Sequence, residues 1–169
     1  MLPWPLFTFG VIAAALFDVR ARVVPNALTV ALAVSGALAQ ALATGWSGLG
    51  SAVLGVAVGL GLLLVPFSAR WLGGGDVKLA AALGAWVGPT GALQLVVLGL
   101  ALGGLLSLVV LAAGSRSTRA EVARNLWSVV LWRSAAQVSV RPRAEVVPLA
   151  VAFGAAGLWT FFGGGPLHA

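Results

Sequence analysis

The segment LGSAVLGVAVGLGLLLVPF, residues 49–67, carries no charged side chain over its whole length. As an α-helix rising about 1.5 Å per residue, it would be about 28 Å long, close to the roughly 30 Å hydrocarbon core of a bilayer. The whole chain agrees, since 60% of its 169 residues are hydrophobic and 8% are charged, against about 25% charged residues in soluble domains. We therefore predict an all-α, polytopic membrane protein with one membrane-embedded domain over residues 1–169.

Six long apolar runs follow one another along the chain. They are Leu2–Phe17, Ala27–Ala43, Leu49–Phe67, Val77–Val87, Ala92–Ala113 and Val146–Phe162. Five of them are long enough to span a bilayer, whereas the eleven residues of the fourth would cover only about 16 Å. We predict about six transmembrane helices, with the bilayer thinned locally around the fourth.

The basic residues give this topology an orientation, because they lie in or beside the first, third and fifth connections. These ten residues are Arg20, Arg22, Arg70, Lys78, Arg116, Arg119, Arg124, Arg133, Arg141 and Arg143. The positive-inside rule places these connections in the cytoplasm. Membrane orientation and contact with anionic lipids then explain the net charge of +6 without a nucleic-acid partner. Within the fifth connection, residues 121–133 are predicted to form an interfacial helix on the cytoplasmic side.

Pairs of glycines four residues apart recur in the apolar runs, as at Gly55 and Gly59 and again at Gly99 and Gly103. Small residues at this spacing let helix backbones approach closely in lipid. We predict that both pairs lie at helix–helix contacts.

Asp18 and Asp76 are the only aspartates in the chain, and each lies where an apolar run meets basic residues. Ionisable residues near the membrane interior are costly and mark functional sites. Packing of the first and fourth helices would bring the two carboxyl groups together at the cytoplasmic boundary. Adjacent carboxyl groups share a proton, so one acts as a base toward water and the other as an acid. Helix dipoles favour Asp76 as the base, but Lys78 and Arg20 oppose that assignment, which stays open.

Other interpretations of the aspartates use the same residues. In the simplest one, each aspartate forms a surface ion pair with a nearby basic residue, such as Asp76 with Lys78. A small proton- or ion-coupled transporter component would also use two carboxylates, but it would need further polar residues inside the membrane. Apart from Thr29, Gln40 and Gln94, the helices contain few. A structural membrane subunit would need no aspartate pair.

Two short segments shape the backbone near the aspartates. Residues 73–75 are all glycine, so backbone or substrate can approach Asp76 closely. Pro25 precedes Asn26, which is predicted to cap the second helix. We assign to these segments five residues that bind substrate or shape the loops: Gly73, Gly75, Lys78, Pro25 and Asn26.

Residues 73–79, GGGDVKL, fit the Gly-x-Gly-Asp signature of polytopic aspartic proteases. Together with residues 18–26, DVRARVVPN, they resemble the type IV prepilin peptidases, and the resemblance covers nearly all of the chain. It implies that Asp18 and Asp76 are the catalytic pair and that Gly73 and Gly75 are the motif glycines. It also implies a prepilin substrate, whose leader is removed at the cytoplasmic face of the bacterial inner membrane.

Larger members of that family carry a cytoplasmic region with paired Cys-x-x-Cys motifs that binds zinc and methylates the new amino terminus. This chain has no cysteine and one histidine, so it resembles the short form that serves tight-adherence (Flp-type) pili or pseudopilins. We expect no cofactor and no bound metal. The expected partners are the prepilin or pseudopilin and the lipid bilayer, whereas the oligomeric state and the particular pilin are not determined by the sequence.

Overall fold

The structure is a computed structural model that describes residues 4–69, 72–113 and 149–164, and the regular elements in these residues are helices. They are α1 (Trp4–Ala21), α2 (Asn26–Thr44), α3 (Trp46–Ser68), α4 (Gly74–Ala113) and α5 (Leu149–Gly164). The first four are long and apolar enough to cross a membrane, and α5 is a shorter apolar helix. The predicted all-α membrane fold is confirmed. Six crossings are not shown, and the predicted interfacial helix at 121–133 lies outside the described residues.

Helix α4 contains both the fourth and the fifth apolar run, and it is broken between them at Gly88, where φ is 70° and ψ is −175°. A Cβ atom added at Gly84 would lie 3.4 Å from Cβ of Ala92, whereas eight residues of straight helix span about 12 Å. The chain therefore folds back on itself at Gly88. We call residues 74–87 the first arm of α4 and residues 89–113 its second arm.

The break in α4 frees backbone carbonyls at the end of the first arm, because Pro89 has no N–H group to donate. Gln40 of α2 supplies the missing donor: its Nε2 lies 3.3 Å from the carbonyl oxygen of Ala85 and 3.2 Å from that of Trp86. The indole Nε1 of Trp86 donates in turn to the carbonyl oxygen of Leu32 at 2.8 Å. Backbone polar groups in a membrane need such internal partners. The buried amide of Gln40 thus joins α2 to the break.

The first arm of α4 lies at the centre of the helix assembly and contains a nearly continuous stretch of buried residues from Leu79 to Gly88. Trp86 in this arm is fully buried. Its ring centroid lies 5.3 Å from that of Phe7 in α1, and Phe7 stacks on Phe161 of α5 with centroids 4.3 Å apart. This aromatic cluster connects the two ends of the described chain through α4.

The glycine pairs lie at helix–helix contacts, as predicted. Gly55 of α3 meets the backbone of Gly84 in the first arm of α4, and Gly59 packs on the same arm one turn away. Gly99 and Gly103 of the second arm pack on side chains of α5. Without side chains at these positions the helices approach closely, which gives apolar helices their van der Waals contact in lipid.

Candidate active site

Asp76 lies in the first turn of α4, three residues after Gly73. The Gly73 backbone hydrogen-bonds to its carboxyl group, as acidic side chains at the third helical position commonly reach back to the helix start. A Cβ atom added at Gly73 would lie only 3.1 Å from Oδ2 of Asp76. The glycine therefore gives the carboxyl group room to turn back.

Asp18 lies in the last turn of α1. Its Oδ2 accepts a hydrogen bond of 3.1 Å from the backbone N–H of Ala150, the second residue of α5. N–H groups in the first turn of a helix have no partner within that helix, and the helix dipole favours negative charge beside them. The carboxyl group of each aspartate therefore lies beside the N-terminus of a helix, that of α4 for Asp76 and that of α5 for Asp18. The dipole argument, which favoured Asp76 as the base, no longer separates the two.

The two carboxyl groups lie near enough for the charge of Asp18 to act electrostatically on the carboxyl group of Asp76. Both side chains are partly buried. Among residues 4–69, 72–113 and 149–164, no basic side chain forms an ion pair with either of them. The ion-pair interpretation is wrong for Lys78, whose Nζ donates to Oδ1 of Asn26 at 2.9 Å.

The connection between α1 and α2 is docked on the start of α4. Asn26 is not the cap of α2, as the sequence suggested, because its side chain binds Lys78; Pro25 occupies the cap position without a side-chain hydrogen bond. Nearby, Val24 is buried, and a Cβ atom added at Gly75 would lie 3.8 Å from it. These contacts thus hold the connection between α1 and α2 against the start of α4. The predicted site residues that take part in this region are Pro25, Asn26, Lys78 and Gly75.

Two features of the site were missed by sequence reasoning. One is the N–H of Ala150, since a backbone donor has no residue-type signal. The other is Arg22, which ends α1 with φ of 55° and donates its N–H to the carbonyl oxygen of Asp18 at 2.9 Å. This is the left-handed conformation that commonly terminates helices, although glycine is the usual residue.

A comparison with protein families places this geometry in context. A model of the type IV leader peptidase family matches residues 6–108, which are more than half of the chain and include both aspartates. The chain belongs to the type IV leader peptidase family. The resemblance to prepilin peptidases is thereby confirmed, and the protein is a peptidase by family. No curated protein and no solved structure matches the chain. Helix α5, whose residue Ala150 donates a hydrogen bond to Asp18, lies beyond the matched residues.

Two neighbouring glycines where α4 begins, Gly73 and Gly74, are expected to differ in their tolerance of a methyl group. In Gly73→Ala the new Cβ would crowd Oδ2 of Asp76 at 3.1 Å, so the carboxyl group must shift. We expect leader cleavage to fall by about threefold, since a shift of a few tenths of an ångström is a fraction of the roughly 1 Å misplacement that costs about a hundredfold. Gly74→Ala is the matched control, because its Cβ would make an ordinary 3.5 Å contact with the ring of Phe67. Equal cleavage rates for the two variants, at equal membrane levels, would contradict this assignment.

Proposed function

We propose that this chain is an aspartic endopeptidase that removes the leader peptide from type IV (Flp-like) prepilins or pseudopilins. The observation that carries the proposal is the interacting pair Asp18 and Asp76, which has no cationic partner in the described residues of a leader peptidase family member. Two neighbouring carboxyl groups share a proton, as in other aspartic proteases. Such a pair supplies the general base and the general acid that peptide hydrolysis requires.

In the proposed reaction, one aspartate is ionised and the other is protonated. The carboxylate takes a proton from a water molecule, whose oxygen forms a bond to the scissile carbonyl carbon, while the carboxylic acid protonates the carbonyl oxygen. The carboxyl group that gained a proton from water then gives it to the leaving nitrogen, the C–N bond breaks, and the other carboxylate recovers its proton from the hydroxyl group. Protons balance and no further reactant is required.

The surroundings of the pair suit an extended peptide. Gly73 is exposed beside Asp76, so the peptide backbone can approach without meeting a side chain. We propose that all six apolar segments cross the membrane, with the two arms of α4 counted separately. The basic connections then orient both aspartates toward the cytoplasmic face of the bacterial inner membrane.

Two polar residues within the helices, Gln40 and Thr29, favour a peptidase over a transporter. A transport path would need polar groups free to bind an ion or proton. The amide of Gln40 is instead engaged by two carbonyl groups at the break in α4, and Oγ1 of Thr29 donates to the carbonyl oxygen of Asn26 at 3.0 Å. These two side chains stabilise helices.

The proposal is tested by incubating the purified protein, reconstituted in liposomes, with a prepilin-like substrate that has a basic leader and one hydrophobic helix. We expect a single cut after the leader, identified by mass spectrometry of the new amino terminus. A membrane protein with a basic tail and a hydrophobic helix, but without a prepilin cleavage sequence, serves as the control and should stay intact. If correctly inserted protein cuts no member of a panel of prepilins and pseudopilins but carries protons across the same liposomes, the transporter interpretation replaces this one.

A further inference from the structure

Helix α5 runs antiparallel to α1, and its position is set by contacts along both helices. A Cβ atom added at Gly154 would lie 3.0 Å from Cγ1 of Val11, and one added at Gly157 would lie 3.6 Å from the ring of Phe7. The hydrogen bond from Ala150 to Asp18 continues the series. Residue numbers in these contacts increase along α1 and decrease along α5, as expected for antiparallel helices. The close packing of Gly154 and Gly157 on α1 thus places the first turn of α5 against the end of α1 that carries Asp18.

The hydrogen bond at the end of this contact engages one oxygen of a candidate catalytic group. Ala150 is fully buried, so its first-turn N–H is shielded from water and depends on Asp18 for a partner. The bond occupies Oδ2 of Asp18 and fixes the plane of the carboxyl group. A carboxylate held in this way keeps one oxygen free for proton transfer, and pre-oriented backbone donors of this kind require no reorganisation during a reaction.

We propose that α5 is an active-site element, in which the backbone N–H of Ala150 positions the Asp18 carboxyl group for proton transfer. This inference rests on the proposed function of Asp18. It goes beyond the family match, which ends at residue 108, and gives the last helix of the described chain a role in catalysis. Ala150 is a positioning residue that acts through Asp18.

The direct test replaces Ala150 with lactic acid by nonsense suppression during cell-free synthesis into nanodiscs. This change turns the amide into an ester and removes the N–H while keeping the methyl side chain. We expect kcat for leader cleavage to fall roughly tenfold to hundredfold, as for the loss of a hydrogen bond to a charged group. KM should stay within about threefold, because the N–H acts on the reacting group. The matched control places the same ester at Ala156, a buried alanine within the same helix, and should leave kcat nearly unchanged.

The outcomes separate this inference from the function on which it rests. If the ester at Ala150 leaves kcat unchanged while Asp18→Asn is inactive, the positioning role is wrong and the proposed peptidase mechanism stands. If Asp18→Asn cleaves normally, the proposed mechanism itself is wrong. Equal losses with both esters would show that a weakened helix explains the effect, which would overturn the positioning role.

A second pair of variants tests the same inference by ordinary mutagenesis. Gly154→Leu would push α5 away from Val11 and lift its first turn from Asp18, whereas Ala155→Leu adds the same side chain at an exposed position. We expect Gly154→Leu to lower kcat by roughly tenfold or more and Ala155→Leu to retain activity. Equal kcat for two inserted variants would overturn the inference.

Discussion

Asp18→Asn and Asp76→Asn should each lower leader cleavage by at least about a thousandfold, because asparagine keeps the size of aspartate but cannot exchange a proton in the reaction. The fold should tolerate Asp18→Asn well. The Oδ1 atom of an asparagine at position 18 can still accept the hydrogen bond that Ala150 donates to the native carboxyl group. The measurement is the initial rate of cleavage of a prepilin-like substrate by each variant at equal membrane concentration.

The two remaining acidic residues of the chain, Glu121 and Glu145, provide matched controls. Glu121→Gln and Glu145→Gln remove the same charge at other positions of the sequence, and we expect both to retain cleavage. Normal processing by both aspartate variants would show that the aspartates do not perform the chemistry. Loss of activity in only one of them would exclude a mechanism that needs two carboxyl groups.

Gly55→Ala should destabilise the protein by about 3 kcal/mol, the upper range for inserting a group into a packed interior. The added Cβ would collide with the backbone carbonyl of Gly84, where α3 crosses the first arm of α4. Backbone atoms cannot rotate away as a side chain can, so the two helices must separate. The expected result is a lower melting temperature of the detergent-solubilised protein, measured by intrinsic tryptophan fluorescence.

Gly61→Ala in the same helix is the control, because nothing lies within 4 Å of its added Cβ. Alanine favours helix over glycine by about 1 kcal/mol, so this variant should melt at the same or a higher temperature. A Gly55→Ala protein as stable as Gly61→Ala would contradict the close crossing of α3 and α4. Cleavage by Gly55→Ala should also fall, because the first arm of α4 carries Asp76.

The helices themselves were predictable because their signal is local. The uncharged run at 49–67 became α3, Trp46–Ser68, and the run at 27–43 became α2, Asn26–Thr44. A chain this apolar must satisfy its backbone groups internally, and helices do so from neighbouring residues alone. The glycine spacing also predicted close contacts, since four residues return to the same helix face.

The features that the sequence did not reveal depend on interactions between distant residues. Asn26 looked like a helix cap from its position after Pro25, but Lys78 from the first arm of α4 takes its side-chain oxygen. Gln40 had no predicted partner, whereas its amide binds carbonyls freed by the break at Gly88. In both cases a partner 45 to 52 positions away decided the role of a polar side chain.

By itself, the sequence determined the membrane environment, the helical class and the two carboxyl groups proposed for the chemistry. Hydropathy and residue type suffice for these inferences because they are properties of each residue and do not depend on its position in the fold. Only the tertiary structure decided that the charge of Asp18 reaches Asp76 and that α5 supplies a donor to Asp18. The physical reason is that this donor is a backbone N–H, which every residue except proline has. What makes the N–H of Ala150 special is its place in the first turn of a helix packed against α1, 132 positions along the chain from Asp18.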